Sequence, residues 1–585
     1  MAIAPTNWLK SVVFCVVALI GFCYLLAGQL FFRSVGELQI DHDKLGAVAS
    51  ESKLCTQVGI DLLKAGGNAA DAAVGTTFCV GVVNMHHSGI GGGGIALVRD
   101  SQGTYKSIDF RETAPAAADV DMFKNNTEAS VFGGLASGVP GQVWGLQYIH
   151  SNYGLLPWSE VLQPAIGIAR TGFRVTEDLV EAMGIPDTHD RRRVPFDGGD
   201  SFLTDDPSWA ADFAPNGTRL GLGDLMTRKR YANTLEKIAK NGVWTFYKGE
   251  VASQIVEAVQ KAGGLMTMDD LADYTVAVRS PVEIVFHGHR IRASGVPASG
   301  AVTLSILKTI EGYHNFTAPD AVNLSTHRMV EAMRFGYGRR ASFGDPDYLD
   351  DLHGFEAGIL NENYAAAIRS KISDSKTQNI SAYDPDGFEM HSSHGTSHIA
   401  TIDSSNLAIS LTTTINLLFG SHVMVPESGI ILNNQMNDFS IPNVSNVFGY
   451  EPSPANYIRP RKRPLSSMSP LIAERENRTI TILGSAGGPR IITAVVQNAL
   501  HILLHNLSSY EALAAPRLHD QLVPDFTSFE FAYNNATVES MRERGHEVQW
   551  MPPGSSSAHV VQKLGDGSFE AVAEVRQNNS AGMVC

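Results

Sequence analysis

Thr396 is the residue whose type and setting could do covalent chemistry. The run Thr396–Ile402 alternates between apolar and small polar residues, the run Ala408–Ile415 does the same, and the turn-forming "DSSN" separates them. This pattern predicts a β-hairpin. If the hairpin is symmetric about Ser405, Thr396 lies opposite Thr414, with their Cβ atoms roughly 4.5–5.5 Å apart.

A threonine hydroxyl is a poor nucleophile unless a base lies beside it, and no neighbouring residue clearly supplies one. If the chain were cut between Gly395 and Thr396, the new α-amino group would serve as that base, with a pKa near ~7.7–8.0. Gly395 favours such a cut because it tolerates the strained backbone that an internal attack requires. An ordinary strand threonine is the competing interpretation of the spacing alone.

Two further segments carry groups suited to an amino-acid substrate. "NNQMNDFS" places Gln435 and Asp438 three residues apart, so one helical turn would present an amide acceptor and a carboxylate to a single α-ammonium group. The hydroxyls of Ser466 and Ser467 in "RPLSSMSP" and the guanidinium of Arg111 could bind a carboxylate. Each of these residues is otherwise an ordinary turn or surface residue.

Gly487 and Gly488 separate a predicted strand from a long apolar helix that Pro489 opens. Uncapped N–H groups at a helix N-terminus bind anions and, in acyl transfer, form an oxyanion hole. Alternatively, the glycines only allow a tight strand-to-helix turn. Three histidines, His391, His394 and His398, surround the Gly395–Thr396 bond. No further ligand motif and no zinc-type CxxC accompanies them, so we expect neither a metal nor a cofactor.

The elements that position these residues begin with a strand at "GAVAS" and two helices joined by a Gly-Gly turn, "ESKLCTQVGIDLLKAGGN" and "NAADAAVGTTFCVGVVN". If the helices are antiparallel neighbours, Cys55 and Cys79 can form a disulfide in an oxidising compartment, and two buried free thiols are the alternative. Residues 136–395 are predicted to be mostly helical, whereas strands dominate 396–435 and 471–487. Without a clean linker after residue 43, one interwoven domain is expected.

The first residues contain a predicted membrane anchor. Ser11–Phe32 holds 22 residues without a charge, flanked by Lys10 and Arg33, and is long enough for a hydrocarbon core of about 30 Å. A cleaved signal peptide is the alternative, but the small residues of a cleavage site are poorly matched. The formal net charge of −15 argues against nucleic acid as a partner.

Ten Asn-x-Ser/Thr acceptors for glycosylation follow the anchor: Asn125, Asn216, Asn315, Asn323, Asn379, Asn443, Asn477, Asn506, Asn535 and Asn578. They favour a body outside the cytosol. We therefore expect a single-pass type II membrane protein with a cytosolic tail at 1–10, an anchor at 11–32 and a stalk at 33–43. The body would face the extracellular space at the plasma membrane or the lumen of a vacuole-like compartment.

From Gly46 to the last residue the chain resembles the γ-glutamyltransferase (glutathione hydrolase) family, in its membrane-anchored eukaryotic type. Ordered blocks carry the resemblance: "GAVASESKLCTQVGIDLLKAGGNAADAAV", "FRETAP", "HGTSHIA", "TTINLLFGS", "SGIILNNQMNDFS", "RPLSSMSP" and "GSAGGPRI". It implies an α+β fold, the four-layer αββα sandwich of N-terminal-nucleophile hydrolases. It also implies a precursor that cuts itself at Gly395–Thr396 into a large chain, 44–395, and a small chain, 396–585, which remain together as a heterodimer.

The resemblance implies that Thr396 Oγ attacks the γ-glutamyl carbonyl of glutathione and that the acyl group passes to water, an amino acid or a dipeptide. The implied roles fall on matching positions. Thr414 would hold the Thr396 amine, and Gly487 and Gly488 would form the oxyanion hole. The substrate α-carboxylate would be bound by Arg111, Ser466 and Ser467, and its α-amino group by Asn416, Gln435 and Asp438.

Three positions depart from the family pattern. Gln435 stands where animal members carry Glu and bacterial members Gln, so the recognition charge depends more on Asp438. Leu418 replaces a Tyr that closes over the substrate in some animal members. The lid position Pro442–Arg461 is divergent, and its aromatic residues are Tyr450 and Tyr457.

Two other functions remain open from the sequence. One is a related acylase of the same fold that acts on another amide, such as a β-lactam side chain. The other is a catalytically silent surface glycoprotein that kept the fold. The carboxylate- and ammonium-binding set argues against the first, and the presence of Thr396, Thr414 and the Gly487–Gly488 pair argues against the second.

Overall fold

The computed structural model of the protein describes residues 45–184, 201–384, 387, 395–442, 444, 452–475 and 479–585. The strands are β1 Gly46–Ser50, β2 Gly93–Arg99, β3 Tyr105–Asp109, β4 Phe173–Arg174, β5 Leu225–Met226, β6 Ala277–Arg279, β7 Val282–Phe286, β8 His289–Ala293, β9 Ser397–Asp403, β10 Ala408–Thr414, β11 Leu471–Arg475, β12 Ile480–Ala486, β13 Leu518–His519, β14 Thr527–Glu530, β15 Val548–Met551, β16 Ser557–Lys563, β17 Phe569–Val572 and β18 Ala581–Val584. The helices are α1 Lys53–Lys64, α2 Ala69–Val83, α3 Gln142–Tyr153, α4 Trp158–Thr171, α5 Glu177–Gly184, α6 Phe202–Asp205, α7 Pro207–Phe213, α8 Lys229–Asn241, α9 Trp244–Tyr247, α10 Glu250–Lys261, α11 Met268–Asp273, α12 Gly300–Glu311, α13 Val322–Arg340, α14 Leu352–Ile359, α15 Glu362–Lys371, α16 Arg490–Ala499, α17 Ser509–Ala514 and α18 Asn535–Glu543.

Two large antiparallel sheets form the centre of the fold. One has seven strands in the order β18-β1-β9-β10-β2-β3-β6, and the other has six in the order β17-β16-β12-β11-β8-β7. Every residue of β9 and β10 is buried. Strands covered on both faces need apolar or small residues at every position, which explains why these two are rich in Ile, Ala, Ser and Thr.

The layers follow from the apolar contacts. Ala400 and Ile402 of the seven-stranded sheet pack against Ile482 and Val561 of the six-stranded sheet. Helices such as α2 and α4 cover the outer face of the seven-stranded sheet. Others, including α12, α13 and α16, cover the outer face of the six-stranded sheet. The predicted four-layer αββα sandwich is therefore confirmed for the described residues.

The predicted start of the body is also confirmed. β1 pairs with β9, and α1 and α2 follow it on the outer face. Asn68 caps α2, and its side chain accepts hydrogen bonds from the N–H groups of Ala70 and Asp71. Cys55 of α1 and Cys79 of α2 form the predicted disulfide, with a Cα–Cα distance of 5.3 Å.

The prediction that residues 136–395 are mostly helical is confirmed for the described part of that range. Its main exception is the hairpin that β7 and β8 form at the edge of the six-stranded sheet. Its turn uses His287 and Gly288, with φ angles of 45° and 80°, as two-residue hairpin turns require. The prediction that strands dominate up to residue 435 was wrong for residues 415–434, which contain no named strand. They form an irregular segment that reaches the site described below.

The predicted anchor Ser11–Phe32, with the tail and stalk beside it, lies outside the described residues. Among the described helices, none combines the length and the apolar character that a bilayer crossing needs. Asn443 and Asn477 also lie outside the described residues. Of the other candidate glycosylation sites, Asn323 is half-buried and accepts a hydrogen bond from Thr537, whereas seven are exposed: Asn125, Asn216, Asn315, Asn379, Asn506, Asn535 and Asn578.

Candidate active site

The β9–β10 hairpin has the register that the sequence predicts. Ser397 pairs with Thr413 and Ile402 with Ala408, as a hairpin centred on Ser405 requires. Continuing this register by one residue places Thr396 opposite Thr414, at the open end of the hairpin. The Thr414 hydroxyl donates a hydrogen bond to the carbonyl oxygen of Gly395. The side chain across the hairpin therefore contacts the peptide bond that precedes Thr396.

The second hydrogen bond of Thr414 fixes the direction of the first. Its hydroxyl oxygen accepts from the backbone N–H of Asn416 at 2.7 Å, so the hydroxyl proton points towards Gly395. Gly395 itself has a φ of 137°, a conformation that side-chain-bearing residues rarely adopt. A Cβ there would lie 2.4 Å from the carbonyl oxygen of Asn416. Position 395 thus requires glycine, and its peptide bond to Thr396 lies beside a hydroxyl donor.

The neighbouring sheet brings the Gly487–Gly488 turn to the same end of the hairpin. The Leu483 carbonyl accepts from Ser410 Oγ at 3.1 Å, and Ser410 pairs with Ala400. One residue further along β12, a Cβ on Gly484 would lie 2.1 Å from the His398 ring. β12 therefore runs towards the start of β9, and the glycines that follow it lie on the side of Thr396.

The turn between β12 and α16 leaves two amide donors available. Gly487 and Gly488 have φ angles of 120° and 59°, and a Cβ on Gly487 would lie 2.7 Å from the Ser555 carbonyl oxygen. Their carbonyls accept from the N–H groups of Arg490 and Ile491. Within the described chain, their own N–H groups donate no backbone hydrogen bond. The glycines make a tight turn, and that turn presents free donors at a helix N-terminus, as an oxyanion hole requires.

Arg111, Gln435 and Asp438 form one buried group. Gln435–Asp438 is a single 3₁₀ turn, as the spacing predicts. Asp438 Oδ2 accepts from Arg111 and, at 2.7 Å, from Gln435 Nε2. Burial raises the pKa of Asp438 above its usual range, and the guanidinium of Arg111 opposes this rise. Arg111 is held in turn by the carbonyls of Pro464 and Leu465 at 3.0 and 3.1 Å.

Two buried acceptors beside this group have no hydrogen-bond partner within the described part of the chain. Asn416 donates through its side-chain amide nitrogen to the backbone carbonyl of Asn434 at 3.0 Å. Asn434 directly precedes Gln435 in the chain. Among the described residues, Asn416 Oδ1 and Gln435 Oε1 are buried and accept no hydrogen bond. A buried acceptor without a donor costs about 1–3 kcal/mol. Together with the Asp438 carboxylate, the two amide oxygens offer three acceptors, which match the three N–H donors of an ammonium group.

Ser466 and Ser467 are arranged as carboxylate donors. Ser466 Oγ accepts from the Met468 N–H at 3.1 Å, and Ser467 Oγ accepts from Arg340 at 3.1 Å. Because an N–H already occupies a lone pair of each hydroxyl oxygen, each hydroxyl proton can be donated to a bound anion. Both serines are buried next to the segment that holds Arg111.

Two residues of this site were missed by the sequence analysis. Arg340, in the last turn of α13, bonds Ser299 Oγ at 3.0 Å as well as Ser467, and Ser299 Oγ donates to the Ser466 carbonyl at 2.6 Å. Glu112 is fully buried, and both its carboxyl oxygens are without a hydrogen-bond partner among the described residues. Burial raises the pKa of Glu112 to about 8, which favours the protonated form of its carboxyl group. Neither stands in a spacing that indicates a site.

The remaining predicted positions are placed as follows. His398 is buried and bonds Thr412 Oγ1 at 2.9 Å, and burial lowers its pKa well below the usual value. It is a neutral core histidine, whereas His391, His394 and Tyr450 lie outside the described residues. Leu418 is half-buried. Within the predicted lid, Asn456 donates to the backbone carbonyl of Asp438 at 2.7 Å, so this segment contacts Asp438 directly.

Comparison with known proteins identifies the family. The γ-glutamyltranspeptidase family model matches residues 55–584. A "Glutathione hydrolase proenzyme" of Arthroderma benhamiae is 48% identical over 575 residues, covering 95% of this chain and 96% of that protein.

Two solved structures share the fold. γ-Glutamyltranspeptidase of Helicobacter pylori is 31% identical with a TM-score of 0.53, covering 59% of this chain and 96% of its own. A cephalosporin acylase of Bacillus halodurans is 24% identical with a TM-score of 0.80, covering 94% and 97%; at this identity the likeness shows the fold alone. With the family model spanning nearly all of the described body, the chain belongs to the γ-glutamyltranspeptidase family.

Proposed function

We propose that this glutathione hydrolase works through an acyl-enzyme on Thr396, formed after the precursor cuts itself between Gly395 and Thr396. The enzyme takes the γ-glutamyl group from glutathione and transfers it to water, an amino acid or a dipeptide. The large chain 44–395 and the small chain 396–585 remain together as a heterodimer. Extensive pairing between the parts supports this association, since β1 of the large chain lies between β9 and β18 of the small one.

The first step is the cut itself. Thr396 Oγ attacks the carbonyl carbon of Gly395 while the Thr414 hydroxyl donates to the carbonyl oxygen, where negative charge develops. The C–N bond then breaks and leaves an ester between Gly395 and Thr396 Oγ, with the nitrogen now a free amine. Water hydrolyses the ester, so the large chain ends in a carboxylate and Thr396 regains its hydroxyl.

The new α-amino group then serves as the base that the sequence lacked. It takes the proton of Thr396 Oγ as the oxygen attacks the γ-glutamyl carbonyl, and it returns that proton to the leaving amine of cysteinylglycine. The N–H groups of Gly487 and Gly488 stabilise the oxyanion. A water molecule or an acceptor amine attacks the acyl-enzyme by the same steps and frees Thr396.

The observation that carries the donor assignment is the pair of buried, unpartnered acceptors beside Asp438. An amino-acid end of a substrate brings an ammonium group, which binds Asn416 Oδ1, Gln435 Oε1 and Asp438. It also brings a carboxylate, which binds Arg111 and the hydroxyls of the two serines. A γ-glutamyl group has both charges on one carbon, whereas an acyl group without the α-amino acid end leaves these buried groups unsatisfied.

Thr396→Ala tests this mechanism. We expect denaturing gels of the variant to show one uncut chain, and we expect no γ-glutamyl release from glutathione. Thr396→Ser is the matched control because it keeps a hydroxyl nucleophile and should still be cut at the same bond, which N-terminal sequencing of the small chain can verify. A Thr396→Ala protein that releases glutamate at the wild-type rate would falsify the mechanism.

We further propose that Ser11–Phe32 anchors the protein as a type II membrane protein with the body outside the cytosol. The 22 uncharged residues between Lys10 and Arg33 support an anchor. The exposure of seven acceptor asparagines supports an exterior body. Membranes from expressing cells should retain the protein after alkaline carbonate extraction, and removal of N-glycans should increase its mobility on gels. Release of unglycosylated protein by carbonate would contradict both parts.

A further inference from the structure

A second group of ligand-type side chains lies away from Thr396, in the helical layer on the outer face of the six-stranded sheet. His327 and Glu331 stand one turn apart on α13, and His546 follows α18. All three are buried, and one ligand atom from each lies within 4.8 Å of the others. None of the three takes part in the γ-glutamyl chemistry described above.

The hydrogen bonds aim the two histidine rings at each other. His327 Nε2 faces the Ser373 carbonyl at 2.7 Å and must carry a proton there, since a carbonyl only accepts. His327 Nδ1 therefore presents a lone pair, which accepts a hydrogen bond from His546 Nε2 at 2.8 Å. In the other tautomer of His546, which moves the proton to an Nδ1 without a hydrogen-bond partner among the described residues, Nε2 presents a lone pair as well. Glu331 Oε1 is 3.8 Å from the same His546 nitrogen. Two imidazole nitrogens and a carboxylate oxygen thus lie within 4.8 Å of one another.

We propose that His327, Glu331 and His546 bind one divalent transition-metal ion, for which Zn²⁺ is the best fit. Two imidazoles and a carboxylate are a common zinc ligand set, and bonds of about 2.0–2.1 Å place tetrahedral ligand atoms roughly 3.3–3.4 Å apart. Two of the three separations here, 2.8 and 3.8 Å, bracket that value, and the third is at most 4.8 Å. The Ser373 carbonyl supplies the outer contact that holds a ligating histidine in one tautomer.

The surroundings complete the site. Glu331 accepts from the hydroxyls of Tyr383 and Thr377, which orient its carboxylate. Two guanidinium groups on the same helix stand three residues from Glu331, and both are neutralised: Arg334 by Asp520 and Asp525 at 3.3 and 2.6 Å, and Arg328 by Asp374 at 2.7 Å. The carboxylate of Glu331 therefore remains available to a cation.

The ion would hold together distant parts of the chain. His327 and Glu331 precede Thr396, and His546 follows it. Ser373, Thr377 and Tyr383 belong to the segment that leads towards the cut. If the proposed cleavage occurs, the ion links the end of the large chain to the small chain. That link rests on the proposed function, whereas the metal site does not.

The metal content of the purified protein tests the site. The full chain, carrying a tag without histidines, is produced in zinc-supplemented medium, desalted and measured by mass spectrometry of the element. We expect about one zinc per chain. His546→Gln and His327→Gln should lose it, while His289→Gln, which replaces a buried histidine of β8 outside the cluster, should retain it. Thr396→Ala, uncut and inactive, should retain it too, so this result is independent of the catalytic proposal.

Two further measurements test the site even if the histidine variants fail to fold. Glu331→Gln keeps an acceptor for Tyr383 and Thr377 and should fold, yet lose the zinc. Protein produced with cobalt should show the visible absorption bands of a tetrahedral Co²⁺ site with nitrogen and oxygen ligands. The proposal is overturned if the wild-type protein holds far less than one equivalent, or if His546→Gln holds as much as His289→Gln.

Discussion

Thr414→Val should slow the cut at Gly395 while leaving the fold intact. Thr414 is almost fully buried, at 3% exposure, so no water can replace its hydroxyl. Valine has nearly the same shape but removes the donor to the Gly395 carbonyl and the acceptor of the Asn416 N–H. The variant therefore separates the chemistry of the hydroxyl from its packing.

The size of the effect follows from the kind of donor that is lost. Removing one preorganised donor to a developing oxyanion slows acyl transfer by about 10²–10³, or roughly 2.7–4 kcal/mol of activation free energy. The unpaired N–H of Asn416 should also lower the free energy of unfolding by about 1–3 kcal/mol. Thr414→Ser keeps both hydrogen bonds and should cut at close to the wild-type rate.

The assay is a pulse-chase in cell-free synthesis, with the uncut chain and the two products separated on denaturing gels. The half-time of the uncut chain gives the rate, and the melting temperature of each product shows that the variants fold. A Thr414→Val precursor that is cut at Gly395–Thr396 as fast as the wild type would refute a role for this hydroxyl in polarising the peptide bond.

Three other changes probe the site and its frame. Arg340→Lys should raise the KM for a γ-glutamyl anilide roughly ten- to a hundredfold without slowing the cut. The reason is that a charged hydrogen bond to Ser467, worth about 1.5–3 kcal/mol, is lost. An unchanged KM contradicts the positioning role of Arg340. As the pH is lowered, the KM should begin to rise at a higher pH than it would for an aspartate of ordinary pKa. Burial raises the pKa of Asp438, and only its ionised form binds an ammonium group. A pH profile of KM that stays flat through the acid range argues against this role of Asp438. Replacing Cys55 and Cys79 by serine should lower the free energy of unfolding by about 3.5 kcal/mol in a urea titration, the loop-entropy value for their separation of 24 residues; an unchanged midpoint would remove the disulfide as a stabilising element.

The features that the sequence predicted well depend on short-range rules. The hairpin register follows from alternation and a four-residue turn, and the structure repeats it pair by pair. The Gln435–Asp438 turn follows from a spacing of three. The β7–β8 hairpin had a similar signal, since "VEIVF" alternates and "HG" can form its turn, but the helical pattern of the surrounding residues was given too much weight.

The features that could not be predicted from the sequence depend on contacts between residues far apart in the chain. Arg111 and Asp438 are 327 positions apart in the chain, and Arg340 and Ser467 are 127 apart. Nothing in the local pattern of α13 distinguishes the arginine that holds the serines from its neighbours. The same limit applies to the His327, Glu331 and His546 group, because a helix with His and Glu at i, i+4 becomes a metal site only when His546 is brought to it.

The two hydrogen bonds of Thr414 explain how one hydroxyl can serve both stages of the proposed mechanism. The Asn416 N–H occupies its acceptor side, so its proton must face the peptide bond at 395–396 before the cut. After the cut the Gly395 carbonyl is free to leave, and the α-amine of Thr396 is a new polar group at the same end of the hairpin. A hydroxyl whose proton is no longer held by a carbonyl can turn its free lone pair to that amine and keep it beside Oγ. The register that places the Thr414 hydroxyl beside the 395–396 peptide bond is thus the register that positions the base, and a slip of a single residue would remove both.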